Sequence, residues 1–143
     1  MNLQPVLLLG GALSSVAALA HVGCIVFGAP WYRFFGAGER MARMADAGSP
    51  MAAIITSVIA AVLAVWAAYA FSAAGLLPRM PFSKLVLCAI TGVYLLRGIA
   101  GIGVALSALE TEQGTTFWWW SSVICLVFGA VHAVGVARTW DRL

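Results

Sequence analysis

Charge is what this sequence has least of. Of its 143 residues only 9% are Asp, Glu, Lys or Arg, against 63% hydrophobic ones. A soluble domain carries roughly a quarter charged residues, so this composition cannot clothe a water-facing surface. Acids are the scarcer sign, five against eight basic residues, and none falls inside a long apolar run. That removes the buried carboxylates on which hydrolase or transferase chemistry leans. Cysteines are three, Cys24, Cys88 and Cys125, and none belongs to a CxxC pair. Inside apolar runs such thiols behave as small apolar residues and are expected to stay unpaired. There is no P-loop, no Rossmann fingerprint and no HExxH. The net charge of +3 comes from few, scattered residues at segment ends. It therefore lacks the clustered cationic face of a nucleic-acid binder, and no nucleic-acid partner or cofactor is expected.

What the chain has is long oily segments. Four apolar runs, at about 5–28, 51–75, 84–108 and 117–137, each approach or exceed the roughly 20 residues that span a bilayer core. Mean hydropathy is +1.00. The expectation is an all-α polytopic membrane protein, a single domain over residues 1–143 forming a four-transmembrane-helix bundle in the lipid bilayer. "MNLQP" offers no lysine or arginine for a signal-peptide n-region, so the first run is expected to remain as a helix. The first connection mixes Trp31, Tyr32, Phe34 and Phe35 with Arg33, Glu39, Arg40, Arg43 and Asp46. That mixture predicts an interfacial amphipathic helix over about 30–47. "FWWW" at 117–120 reads as an aromatic anchor at a membrane boundary. Arg79, Lys84, Arg138 and Arg142 on the terminal side outnumber Arg33, Arg40 and Arg43 on the other. This bias leans toward a bacterial inner membrane protein with both termini cytoplasmic. "VGCIVFGA" at 22–29 and "VICLVFGA" at 123–130 look alike, but a direct two-plus-two duplication would match spans one and three, so shared packing explains them better.

Between apolar helices in lipid, close packing of small residues and hydrogen bonds supply the attraction. Small seams recur at spacings of three and four. They are Gly10, Ser14, Ala17, His21, Cys24 and Gly28; Ser57, Ala61, Ala64, Ala68 and Ser72; Thr91, Tyr94, Gly98, Gly101 and Ala105; and Ser122, Cys125, Gly129 and His132. All four are expected to face inward.

Against this background Arg97 stands out. Lys84 and Glu110 lie 13 residues to either side, with no charge between, so roughly 20 Å of helix separates Arg97 from each. An unpaired charge at that depth costs at least about 2.5–3.5 kcal/mol. Its expected satisfiers are Tyr94 one turn away, a re-entrant Glu39, backbone carbonyls near Gly98 or Gly101, or an anionic ligand. His21 and His132 fall about 7 Å to either side of the midplane. With Arg97 they would form a polar ladder suited to gating or proton relay. A metal reading is weaker: His21 and Cys24 share a face at i, i+3, and with Cys125 they would suit Cu(I) or Zn. The favoured function is binding or transport of a small polar or anionic ligand by Arg97, Tyr94, His21, His132 and Glu39. The competing one is a non-catalytic packing or assembly subunit, as a homo-oligomer or with a membrane-protein partner. Small seams left exposed would favour assembly, and a water-accessible cavity beside Arg97 would favour the ligand. Catalysis on a lipid-like substrate would need Glu39 or a serine to approach that cavity.

Overall fold

The structure, a computed structural model, describes residues 3–107 and 114–143. Glu110, Glu112 and the rest of the third connection lie outside the described residues. Helix α1 (Pro5–Phe27) opens on a proline, whose missing N–H is not needed in a first turn. It ends at Gly28, at φ +70°, whose N–H returns to the Cys24 carbonyl at 3.0 Å. Helices α2 (Ala29–Phe34) and α3 (Glu39–Asp46) follow. A single helix had been expected over about 30–47; Gly36 and Gly38, at φ +67° and +96°, break it in two, because only glycine takes that region without strain. The Phe117 ring lies directly over Gly36, where a Cβ would stand.

Helix α4 (Pro50–Ala73) is capped by Ser49, whose Oγ accepts from the Met51 N–H at 3.3 Å, again with proline in the first turn. Helix α5 (Ser83–Leu106) and helix α6 (Gly114–Thr139) complete the set, and a 3-10 turn follows at Trp140–Arg142. Four helices, α1, α4, α5 and α6, are long and apolar enough to cross a membrane, and no strand occurs among the described residues. Each begins within three residues of its sequence-predicted start.

Helix α1 packs chiefly along α4, and α5 along α6; α1 also meets α6, whereas α4 and α5 touch little. A cluster of Ala18, Leu63, Ala70, Leu87, Ile90, Tyr94 and Val136 fills the middle and the terminal end. A second cluster, Cys24, Ala29, Tyr32, Ala42 and Ala52, sits beneath α2 and α3.

The small seams fare unequally. Helix α5 buries Tyr94, Gly98, Gly101 and Ala105 as expected, and α6 buries Ser122, Gly129 and His132. Helix α1 buries Gly10, Ser14 and Cys24 but leaves Ala17 and His21 half-buried. Helix α4 departs from its expected seam over most of its length: Ser57, Ala61 and Ala64 are exposed, Ala68 is half-buried and only Ser72 is buried, while Ala52, Thr56, Ala60, Leu63, Ala67 and Ala70 face inward. Tyr32 bonds to the inward face at the start of α4. From α2 its hydroxyl donates to the Ala52 carbonyl at 3.2 Å and lies 2.9 Å from the Thr56 Oγ, which pins that edge of α4 against the rest of the molecule.

Candidate ligand-binding site

Arg97 stands half-buried on the side of α5 that faces α6. Glycines bring the two helices together. A Cβ on Gly98 would meet Leu126 Cγ at 2.6 Å and the Ser122 carbonyl at 3.1 Å. A Cβ on Gly129 would meet Leu95 Cδ2 at 2.7 Å and the Leu95 backbone N at 3.2 Å. One turn beyond Arg97, Gly101 leaves the space in which the guanidinium lies. A Cβ there would collide with the Ser122 Oγ and stand 2.7 Å from Arg97 Nη1. Helical spacing of three and four sets Arg97 and Gly101 on one face of α5, and Trp118, Ser121 and Ser122 on the facing side of α6.

The guanidinium carbon lies 4.7 Å from the centre of the Trp118 ring, a cation–π contact. Nη2 donates to the Ser121 Oγ at 3.4 Å, the long limit of a hydrogen bond. Nη1 is fully buried and has no hydrogen-bond partner among the described residues, and the same holds for the Ser122 Oγ beside it. Among the described residues, no carboxylate pairs with Arg97. The result is a positive centre with a stacking ring beneath it, an adjacent hydroxyl and one N–H pair unsatisfied. Such a group attracts an anion or a strong neutral acceptor.

The other sequence-predicted site residues are only partly gathered here. The Tyr94 hydroxyl lies 3.0 Å from the Ser14 Oγ, linking α5 to α1 rather than reaching the guanidinium. Its ring packs edge-on against Trp66 and Phe128, with centres 5.1 and 5.4 Å away, and 5.4 Å from the His132 ring. His132 is fully buried and donates from Nδ1 to the Phe128 carbonyl at 2.8 Å. Its Nε2 has no partner among the described residues and points at the notch of Gly10, where a Cβ would stand 3.2 Å away. Tyr94 and His132 thus form a second polar cluster, next to the first along the same helix pair.

His21 is separate. Its Nδ1 donates to the Ala17 carbonyl of its own helix at 2.7 Å, and no hydrogen bond joins it to Arg97 or His132, so the expected three-membered ladder is not assembled. Glu39 is also elsewhere. Its carboxylate accepts from Arg33 at 2.9 and 3.0 Å, and Arg33 reaches Asp46 at 2.8 Å, all exposed. The hydrogen bond from Arg33 holds the Glu39 carboxyl below the usual carboxylate range, with attraction to Arg33 and Arg43 adding to it. Glu39 therefore pairs with Arg33 and does not re-enter toward Arg97. The three cysteines are free thiols. Among the described residues, no three His, Cys, Asp or Glu side chains are grouped to hold a metal ion, so His21, Cys24 and Cys125 are not gathered into one set.

Sequence reasoning missed Trp118, Ser121 and Ser122 as neighbours of Arg97. Trp118 reads as a boundary anchor, and the serines as hydroxyls without a base. The expected spans, ending at about 108 and beginning at about 117, fold about a midpoint that sets Arg97 opposite about 128, so the sequence alone does not single these residues out. In the structure α5 ends at Leu106 and α6 begins at Gly114. An antiparallel pair folded about the midpoint of that connection sets Arg97 opposite residues near about 123 at the common helical rise.

Compared with known protein families, with curated proteins and with solved structures, the chain matches none of them.

Proposed function

We propose that this chain is a small integral membrane protein that binds a small anionic or polar ligand at Arg97. The four long helices form a transmembrane bundle in this reading, and α2 and α3 lie at the membrane interface. We place it in a bacterial inner membrane, and the excess of basic residues on the terminal side supports an orientation with both termini cytoplasmic. One observation carries the proposal: a buried guanidinium nitrogen without a partner, beside an equally unpartnered serine hydroxyl. In hydrocarbon such groups are costly and mark functional positions by default. Trp118 would hold the guanidinium plane, Ser121 would fix its rotation, and Ser122 and Nη1 would meet the ligand. Tyr94 and His132 continue the polar lining along α5 and α6. Two cavities, of about 380 and 260 Å³, lie at the terminal end, and neither is bordered by Arg97. Neither cavity therefore meets the criterion of a water-accessible space beside Arg97, and the ligand reading rests on the unpartnered atoms between α5 and α6.

The test compares wild type, Arg97→Lys and Arg97→Ala in neutral detergent, each melted with a panel of small soluble carboxylates, phosphate and sulfate. A ligand at 100 times its Kd stabilises the folded state by about 2.7 kcal/mol. One anion should raise the wild-type melting temperature, act more weakly on Arg97→Lys and leave a still-folded Arg97→Ala unmoved. If Arg97→Ala merely melts earlier and no anion shifts any of the three, the ligand reading fails.

The second reading is an assembly subunit, as a homo-oligomer or beside another membrane protein. The exposed seam of Ser57, Ala61 and Ala64 on α4 favours it, because small residues facing outward permit close approach by another helix.

A further inference from the structure

The terminal end of the molecule holds a feature that the Arg97 site does not use. There the α4–α5 turn, the start of α1 and the last residues of the chain enclose a cavity of about 380 Å³, with Arg79 and Arg142 in its wall. A second cavity of about 260 Å³ shares Arg79 and adds Lys84 and Phe82. The hydroxyls at the first cavity are already engaged. Ser72 donates to the Pro78 carbonyl at 2.7 Å and accepts from the Met80 N–H at 3.0 Å. Ser83 donates to the Met80 carbonyl at 2.6 Å, and Thr139 to the Gly135 carbonyl at 2.8 Å. The unspent donors are cationic. Among the described residues Arg79 bonds to the Arg142 carbonyl alone, which draws the two arginines together. Lys84 Nζ stands 4.3 Å over the Trp140 ring. Among the described residues none of the three cations is ion-paired; the Asp141 side chain lines neither cavity, whereas Leu143, which carries a backbone carboxylate, lines both.

The walls are also oily on one side. Leu77 lines the larger cavity and Phe82 the smaller, and Leu76, Phe82 and Leu85 are 56, 78 and 70% exposed. Phe82 is held at φ +56°, in the left-handed region that a bulky residue rarely adopts, with its ring turned outward. A free inorganic anion would use the cations and gain nothing from such walls. A phosphodiester carrying acyl chains would use both.

We propose that this paired cavity is a binding site for the headgroup phosphate of an anionic phospholipid, held by Arg79, Arg142 and Lys84. The acyl chains would lie along Leu76, Leu77, Phe82 and Leu85. The proposal rests on the four apolar helices crossing a bilayer, which sets this end at headgroup depth, but it is independent of any ligand at Arg97. Each basic side chain near an anionic headgroup contributes enough for about a five-fold change in affinity, so losing two gives roughly 30-fold.

The test titrates the full chain, in neutral detergent, with a short-chain phosphatidylglycerol, the matching phosphatidylcholine and inorganic phosphate, with binding read by native mass spectrometry and thermal shift. Phosphatidylglycerol should bind about ten-fold or more tightly than either comparison ligand. Lys84→Gln should weaken it about five-fold, and Arg79→Gln with Arg142→Gln roughly 30-fold. Arg97→Ala, and Arg40→Gln with Arg43→Gln at the other end, should leave it unchanged. Lys84 donates to no backbone group, so its variant decides the question even if the double arginine variant does not fold. Unchanged binding by Lys84→Gln overturns the proposal. So does an equal loss in the Arg40 and Arg43 variant, which would reveal diffuse charge attraction. Inorganic phosphate binding as tightly as the lipid would overturn it in favour of a soluble anion.

Discussion

The contact between α5 and α6 can be probed with a single methyl group. At Gly98 an added Cβ meets Leu126 Cγ at 2.6 Å, Leu126 Cδ2 at 2.8 Å and the Ser122 carbonyl oxygen at 3.1 Å. A leucine Cγ cannot yield by swinging the end of a flexible chain; it moves only if χ1 changes or the helices separate. Separation would also loosen the reciprocal notch, where Leu95 sits against Gly129. Overpacking of this kind costs about 1–3 kcal/mol. Replacing glycine by alanine in a helix independently returns about 0.5–1 kcal/mol. Gly92 isolates that second effect, because it lies in the same helix and a Cβ there meets nothing within 4 Å. Both substitutions gain the same helix propensity, so the gap between them reports the clash alone, about 1–3 kcal/mol. Unfolding in mixed detergent and dodecyl sulfate micelles measures it. Gly92→Ala should match or exceed wild type, and Gly98→Ala should fall below Gly92→Ala by that amount. If the two variants unfold within about 0.5 kcal/mol of each other, well under the overpacking range, α5 and α6 do not approach as described, and the geometry around Arg97 falls with them.

Two further outcomes follow from the polar contacts. A double-mutant cycle on Ser14→Ala and Tyr94→Phe should return a coupling of about 0.6 kcal/mol, at most about 1.7, as for other interhelical hydrogen bonds in membranes; strict additivity would show that the 3.0 Å contact between their oxygens contributes nothing. The Glu39 carboxyl is held below its ordinary range by Arg33, so its contribution is fully present above the unfolded value of about 4.3 and is lost as pH falls through the folded one. Amide exchange across Glu39–Asp46 should therefore stay flat from neutral pH down to about 5 once intrinsic rates are divided out, and accelerate below about 4. Glu39→Gln should remove that acid step; an unchanged step would refute its assignment to the Arg33–Glu39 pair.

The four long helices were legible because hydropathy is a property of composition, and composition survives ignorance of the fold. Their faces were legible only where the sequence offered one choice. On α5 a single small-residue seam runs through Tyr94, Gly98, Gly101 and Ala105, and the structure buries it. On α4 two seams compete, Ala52, Thr56, Ala60, Leu63 and Ala67 against Ser57, Ala61, Ala64 and Ala68. Both are small, and a helix oily all round has no polar face to break the tie. One contact that holds the inward face comes from Tyr32, twenty residues upstream of Ala52, and no periodicity within α4 could reveal it. Arg97 was legible as an anomaly but its neighbours were not. Glu39 was drawn toward it by charge alone, whereas Arg33, six residues from Glu39, offers a nearer and better solvated cation.

What separates a structural from a functional Arg97 is how completely its surroundings replace water. Placing an arginine at the centre of a membrane helix costs about 2.5–3.5 kcal/mol on the mildest scale, and less toward a helix end; Arg97 stacks on Trp118, four residues into α6. Stacking on a desolvated tryptophan offsets about 2 kcal/mol of that. A bond of 3.4 Å to Ser121 adds little, because hydrogen bonds weaken at that length. Leaving Nη1 buried and unpaired costs a further 1–3 kcal/mol or so. A strut selected only to join α5 and α6 would do better as a methionine or leucine, which fill the same space without the penalty. The neighbouring helix also holds a second unmatched group, the Ser122 hydroxyl, on the far side of the same glycine notch. Two unmatched polar atoms converging on one cleft, in a chain that otherwise excludes charge from its spans, are better explained by a third group that joins them than by either residue alone. On that reasoning the exposed α4 seam and the Arg97 cleft answer different questions: the first concerns what the molecule sits beside, and the second what it holds.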